Sequence, residues 1–389
     1  ANTNNDSEPA VSDLRWIILN DQGGTGQALA QQLLTQGSAS CLVDIGDYFD
    51  IEHDQSKAWL VPDSKDHFLQ LIAEIGQENI RGIVHCWNLD APVQDSLDIA
   101  KFQRTKRLCL HSTLNLTKAL TELEGRIPLY LVTRNASQAP TSNSINLFAA
   151  ASTGFSRVLA QQELMNHWGR LIDLDGINDI AHLISELEQP SIEHEVAYRD
   201  NQALVPRLTQ AKNLQSPFPS HLRADAAYLI TGAFGSIGRL VCQLLINQGA
   251  KSLILMGRTK FPGRSEWTNL HSGHSCFERI EFIRTLEQQH IKVTLWEADI
   301  TKEKALKHYL DEYQANNNPT IRGLFFCAGI VQDTLLSNMN TSAFDKVFDT
   351  KAIGAMMLHQ GLSKTQLDHF VLFSSVAAQI TTAGQTNYA

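Results

Sequence analysis

Short apolar runs alternate along the chain with longer stretches whose apolar positions recur at helical spacing. Residues 14–19 (LRWIIL), 41–45, 83–87 (IVHCW) and 129–133 (LYLVT) predict strands, and residues 28–34, 68–75 and 108–123 predict helices. Strands covered on both faces read as continuous apolar runs, and the helices between them supply the cover, so the pattern predicts parallel sheets. A second series follows. Residues 228–231, 252–256, 293–297, 324–327 and 370–373 predict strands, with helices over 239–248 and 277–289.

The two series are related. Arg81-Gly82-Ile83-Val84 and Arg322-Gly323-Leu324-Phe325 lie 241 residues apart, as do Leu129-Tyr130-Leu131-Val132 and Phe370-Val371-Leu372-Phe373. Gly26 and Gly238, in the glycine loops, lie only 212 apart. The later copy is therefore expected to hold about 29 extra residues between its loop and its fourth strand, around 258–278. Between the copies, residues 195–208 predict a hairpin turning at Asp200-Asn201. Residues 1–13 and 211–224 are polar, carry prolines and read as linkers, which divides the chain into domains over 14–210 and 225–389.

Composition narrows the function classes. With 389 residues, two or three domains are expected. The chain is 43% hydrophobic and 19% charged, as an ordinary globular protein is. A net charge of −9 argues against a protein that coats nucleic acid or an anionic membrane. No apolar run is long enough to span a bilayer, and residues 1–12 lack the apolar core of a signal peptide. The six cysteines form no CxxC pair, so they read as reduced thiols of a cytoplasmic protein with no metal site.

The chemistry gathers in the later copy. Gly232-Ala233-Phe234-Gly235-Ser236-Ile237-Gly238 follows a predicted strand and opens a predicted helix. Missing side chains there let the backbone approach a pyrophosphate, whose charge the helix N-terminus favours. Arg258 ends the next strand, where arginine suits a ribose 2′-phosphate and a carboxylate would suit a free hydroxyl, so the residues point to NADPH. Asp299, followed by Ile300, ends the third strand and reads either as a partner for the adenine amino group or as a helix N-cap. Cys327, Ala328 and Gly329 end the fourth, leaving room for the nicotinamide ribose. Lys351 lies in a predicted helix, Ser375 just beyond a strand and Tyr388 after Gln385-Thr386-Asn387. A carbonyl that accepts hydride becomes an alkoxide and needs a proton. Tyrosine supplies one when a nearby ammonium stabilises its phenolate, and serine can donate a hydrogen bond to the same oxygen.

Together, TGAFGSIG ending at Gly238, LMGR at Arg258, ADIT, CAG, KAIGA from Lys351, FSS at Ser375 and GQTNYA around Tyr388 resemble the ketoreductase domain of a modular polyketide synthase, in the short-chain dehydrogenase/reductase superfamily. The resemblance covers residues 228–389. It implies two Rossmann-like parallel-sheet subdomains: a degenerate, truncated structural copy, then a catalytic copy. It also implies catalysis by Tyr388, Ser375 and Lys351, with NADPH held by Gly232, Phe234, Gly235, Ser236, Ile237, Gly238, Arg258, Asp299, Ile300, Cys327, Ala328 and Gly329. In the first copy the position matching Ser375 is Arg134, and its second strand ends near Asp44, so no working NADP site is expected there.

The implied substrate is a β-ketoacyl thioester on the phosphopantetheine arm of an acyl carrier protein, among neighbouring synthase domains. Carrier proteins are usually acidic, so docking one would need a local basic patch. Asp333 of Val331-Gln332-Asp333 matches the last aspartate of the motif that marks B-type enzymes, which give the D-hydroxyl. The A-type tryptophan position holds Ile380. The alternative role of Asp333 is a helix N-cap. Because the chain ends one residue after Tyr388, the catalytic copy is expected to be truncated at its C-terminus, without the later asparagine, the final strand and the lid. Two other readings are a non-reducing scaffold domain and a free-standing dehydrogenase acting on a small alcohol or sugar.

Overall fold

The computed structural model describes residues 14–92, 98–140, 142, 144–176, 179–189, 191–210 and 222–389. The linkers read at 1–13 and 211–224 therefore fall largely outside the described residues. The chain forms two compact units. The first comprises 1–209 with 333–344 and 376–389; the second comprises 210–332 with 345–375. Two stretches of the later copy, one bearing Asp333 and one bearing Tyr388, thus group with the first unit.

The first unit runs β1 (Arg15–Leu19), α1 (Thr25–Thr35), β2 (Ala39–Ile45), β3 (Asp50–Ile51), β4 (Lys57–Leu60), α2 (Lys65–Ile75), β5 (Ile80–His85), α3 (Ile99–Lys106), α4 (Ser112–Leu120), β6 (Leu129–Arg134), α5 (Leu147–Val158), β7 (Trp168–Leu174), α6 (Ile180–Glu188), β8 (Glu195–Arg199) and β9 (Gln202–Leu204). Its nine-stranded sheet has the order β3-β4-β2-β1-β5-β6-β7-β8-β9. Among the described residues only the edge strands β3 and β9 pair antiparallel; β8 and β9 form the predicted hairpin. A truncated copy was expected, yet β7, β8 and β9 extend this sheet well past the strands it shares with the second unit. The helix expected over 108–123 starts earlier, where Asp98 accepts from the Lys101 N–H, and one π turn, Arg107–His111, joins α3 to α4.

The second unit contains β10 (Ala227–Thr231), α7 (Ser236–Asn247), β11 (Ser252–Gly257), α8 (Phe277–Gln288), β12 (Lys292–Glu297), α9 (Glu303–Ala315), β13 (Ile321–Phe326), most of α10 (Thr341–Gly361) and β14 (His369–Leu372). Its sheet, β12-β11-β10-β13-β14, is wholly parallel. The apolar faces of α7 and α8 (Val241, Cys242, Leu245, Ile280, Ile283 and Leu286) are buried on Tyr228, Ile230, Leu253 and Leu255. This burial, rather than intrinsic helix propensity, supplies most of the helices' stability.

The internal repeat is visible in the pairing. β4-β2-β1-β5-β6 corresponds in order and direction to β12-β11-β10-β13-β14. Both central pairs slip register at one place, between Arg15 and Trp16 against β5 and between Ala227 and Tyr228 against β13. The glycine opposite each aromatic is required: a Cβ on Gly82 would lie 2.6 Å from the Trp16 ring, and one on Gly323 2.7 Å from the Tyr228 ring. The extra length of the later copy, expected around 258–278, runs on through the helix predicted over 277–289. Residues 258–291 hold a 3-10 turn and all of α8, where the first unit reaches β4 from β2 through short β3 alone.

Candidate active site

The glycine turn joins β10 to α7 in the second unit. Gly232 has a φ of +63°, a conformation that L side chains rarely adopt, and a Cβ on it would sit 2.9 Å from the Ala328 backbone. A Cβ on Gly238 would lie 2.4 Å from the Gly232 carbonyl oxygen. The turn closes through the Gly235 N–H, which donates to the Gly232 carbonyl at 3.0 Å, and α7 starts directly after Gly235. Among the described residues no side chain caps this N-terminus. Its orphan N–H groups therefore open on a cleft lined by Gly232, Phe234, Gly235, Arg258, Arg279 and Gly329. A backbone cradle that a Cβ would fill, facing cationic groups, fits a dinucleotide's phosphates.

Two arginines face this cleft. Arg258 follows β11 and is exposed; Arg279 stands in the first turn of α8. Among the described residues neither forms an ion pair. Arg279 carries no sequence signal beyond a base early in a helix; it enters the cleft because α8 is inserted after β11. Of the other residues singled out, Asp299 accepts the N–H and hydroxyl of Thr301 at 2.9 and 2.8 Å. It is not a helix N-cap, since Lys302 holds that position for α9. Ile300 is buried against α10 at Gly354. Ser236 and Ile237 open α7, with Ile237 half exposed.

Lys351 stands over the end of β13. A Cβ on Gly329 would lie 2.8 Å from Lys351 Cε and 3.2 Å from its Nζ. The ammonium donates to the Phe373 carbonyl at 2.9 Å, which ties α10 to the end of β14. Burial lowers the Lys351 pKa from its usual value, and Cys327 opposes that shift. Burial raises the Cys327 thiol to about 11, with the Lys351 charge pulling the other way. Ser375 follows two residues beyond Phe373 in the same unit. Tyr388 groups with the first unit, where its N–H donates to the Gln385 carbonyl at 3.0 Å.

Asp333 also belongs to the first unit and caps no helix, for α10 begins at Thr341. Its carboxylate instead accepts the Gln385 side-chain amide at 3.2 and 3.3 Å. Ile380 is 59% exposed. All six cysteines are free thiols. Among the described residues no cluster of His, Cys, Asp and Glu could hold a metal ion, and no helix is long and apolar enough to cross a membrane.

An open glycine turn, two arginines in its cleft and a lysine against Gly329 thus stand together on a parallel sheet of Rossmann type. Residues 226–389 match the model of the KR domain family. Relatives include a phenolphthiocerol/phthiocerol polyketide synthase of Mycobacterium tuberculosis, 28% identical over 319 residues, which cover 81% of this chain and 17% of that protein. The 6-methylsalicylic acid synthase of Penicillium terrestre is 33% identical over 262 residues, 64% of this chain and 14% of its own length. This chain thus spans a small part of each relative. Among solved structures, an A-type ketoreductase from a modular polyketide synthase superposes with a TM-score of 0.75 at 24% identity, covering 98% of this chain and 76% of that one. A keto acid-selecting nonribosomal peptide synthetase module with adenylation, ketoreductase and pseudo-Asub domains gives 0.79 at 23%, covering 97% and 32%. At these identities the structures speak for the fold: paired Rossmann-like units.

Proposed function

We propose that this chain reduces a β-ketoacyl thioester, carried on an acyl carrier protein within a polyketide synthase, to the β-hydroxyacyl thioester, using NADPH. In this reading residues 225–389 are the catalytic domain and residues 14–210 its non-catalytic brace. The supporting observation is that the Lys351 ammonium lies against Gly329, in the wall of the cleft onto which the glycine turn and both arginines open.

The Gly232–Gly238 turn and the N-terminus of α7 would hold the pyrophosphate, and Arg258 with Arg279 the ribose 2′-phosphate. The dinucleotide, when bound, supplies the hydride. Tyr388 gives its phenolic proton to the substrate oxygen, Ser375 donates a hydrogen bond to that oxygen, and Lys351 favours the resulting phenolate. One hydride and one proton thus convert the ketone to an alcohol. Asp333, with Ile380 at the A-type tryptophan position, supports B-type reduction to the D-hydroxyl.

NADPH oxidation with a β-ketoacyl thioester surrogate tests this reading. Tyr388→Phe should abolish turnover and leave NADPH affinity nearly unchanged, and chiral analysis of the product should give the D-isomer. A comparable loss of dinucleotide binding would contradict the role of Tyr388. Absence of NADPH affinity in the wild type would favour a non-reducing scaffold.

A further inference from the structure

We propose that Glu163, from the non-catalytic copy, is a positioning residue that fixes the Tyr388 turn and the Asp333 loop together, coupling the rate of reduction to the choice of carbonyl face. The proposal rests on the ketoreductase reading above for the roles of Tyr388 and Asp333. Its geometry lies wholly within the first unit.

Glu163 ends the π turn Leu159–Glu163 that continues α5. Such a wide turn re-aims the side chains that follow it, and π turns are frequent at functional sites. The two carboxylate oxygens serve different segments. Oε1 accepts the Gly384 N–H at 3.0 Å, and Oε2 accepts the Leu336 N–H at 2.5 Å. Gly384 and Leu336 are 48 residues apart in sequence, and the same two segments are stitched directly: the Thr334 N–H donates to the Gly384 carbonyl at 2.8 Å. Gln385, next to Gly384, holds Asp333 through its side-chain amide and the Tyr388 N–H through its carbonyl. Moving Gly384 therefore moves both the proposed proton donor and the proposed stereocontrol residue.

The neighbours of Glu163 do less. Arg157 donates to the Ala378 carbonyl at 2.8 Å, and Gln161 accepts the Thr381 hydroxyl at 3.1 Å. Of the two segments, each of these residues bonds only the 376–389 stretch, and Arg157 also pairs with Glu195. Glu163 alone among these residues spans both segments, and two acceptor oxygens on one carboxylate are what that requires. Glutamine has a single acceptor oxygen and can keep only one of the two bonds.

The test uses the full chain with Glu163→Gln, Glu163→Asp and Gln161→Ala. Amide hydrogen exchange in Glu163→Gln should quicken in both 333–338 and 384–389; in Gln161→Ala only the second stretch should respond. With a β-ketoacyl thioester surrogate, Glu163→Gln should lower kcat by about tenfold to a hundredfold, the scale of a misplaced reacting group. It should also mix the hydroxyl stereoisomers, with NADPH affinity within about twofold of wild type because no dinucleotide-binding residue is touched. Glu163→Asp, which keeps both oxygens, should recover part of the rate and the stereochemical purity. A purely structural role would lower the melting temperature and leave the isomer ratio alone. Unchanged exchange in either segment, or an unchanged kcat and isomer ratio with both segments loosened, would overturn the proposal. If the wild type reduces no thioester, the ketoreductase reading fails by itself; exchange then decides the clasp, upheld by paired loosening and overturned without it.

Discussion

Each unit has its own sheet with the same five-strand order, and the two differ in what fills the ends of those strands. In the second, α7 begins with uncapped N–H groups facing a cleft. In the first, the buried Asp21 occupies the matching place: its carboxylate accepts the Thr25 N–H at 3.2 Å and the Gly26 N–H at 2.6 Å. The helix terminus that attracts a phosphate is thus satisfied by the chain's own anion. Where the second unit has Ala328, the first has Trp87, fully buried against Phe68 and His85. Near the end of β2, Asp44 accepts from Asn20 and pairs with Lys57 at 2.9 Å, in place of the exposed Arg258. Arg134, at the position matching Ser375, donates to the Gly176 carbonyl. A repeated backbone therefore needs only its glycine–aromatic packing, whereas a binding site needs space and unspent charge.

Transplanting the self-cap should break the difference most sharply. Ala233 matches Asp21 by the 212-residue offset, so Ala233→Asp should put a carboxylate at the α7 terminus and weaken NADPH binding by about a hundredfold or more, read by fluorescence titration beside a melting curve. Next, Arg258→Ala and Arg279→Ala should each cost about tenfold in NADPH affinity with little effect on NADH, since each removes a charged partner for the 2′-phosphate alone. The reverse change, Asp21→Ala, should destabilise the chain by about 1–2 kcal/mol in denaturant melts and create no second dinucleotide site, because Trp87 still fills the space. The smallest effect concerns Asp90, whose carboxylate accepts the Gln22 N–H at 2.9 Å and whose pKa burial raises from 3.8 to about 6. Folding then favours its protonated form, and that contribution, full below pH 3.8, is lost as pH rises through 6. Asp90→Asn should raise the melting temperature relative to wild type at about pH 8 and leave it nearly equal at about pH 4.

Much of this was legible in the residues. The strands and the repeat follow from continuous apolar runs and from the 241-residue offset, because buried parallel strands leave no polar positions to blur the signal. The glycine turn and its helix were equally plain. What the residues did not disclose depends on contacts distant in sequence. The role of Asp21 as an internal anion shows only once Thr25 and Gly26 turn their N–H groups onto it. Arg279 enters the cleft through an inserted helix, and Asp333 meets Gln385 across 52 residues, so neither has a local pattern. The N-cap readings of Asp299 and Asp333 failed for a common reason: a carboxylate near a helix was credited to that helix, when a closer turn or amide had first claim.

Under the proposed function, the interrupted make-up of the first unit, with 333–344 and 376–389 joined to 1–209, bears on how hybrid synthases would be spliced. A splice at the inter-copy linker would graft a foreign partner beneath the Tyr388 and Asp333 stretches, which α5 and its π turn anchor through Arg157, Gln161 and Glu163. Exchanges that carry both copies as one cassette should keep their stereochemical output, while those that divide them should need matching residues at these three anchors.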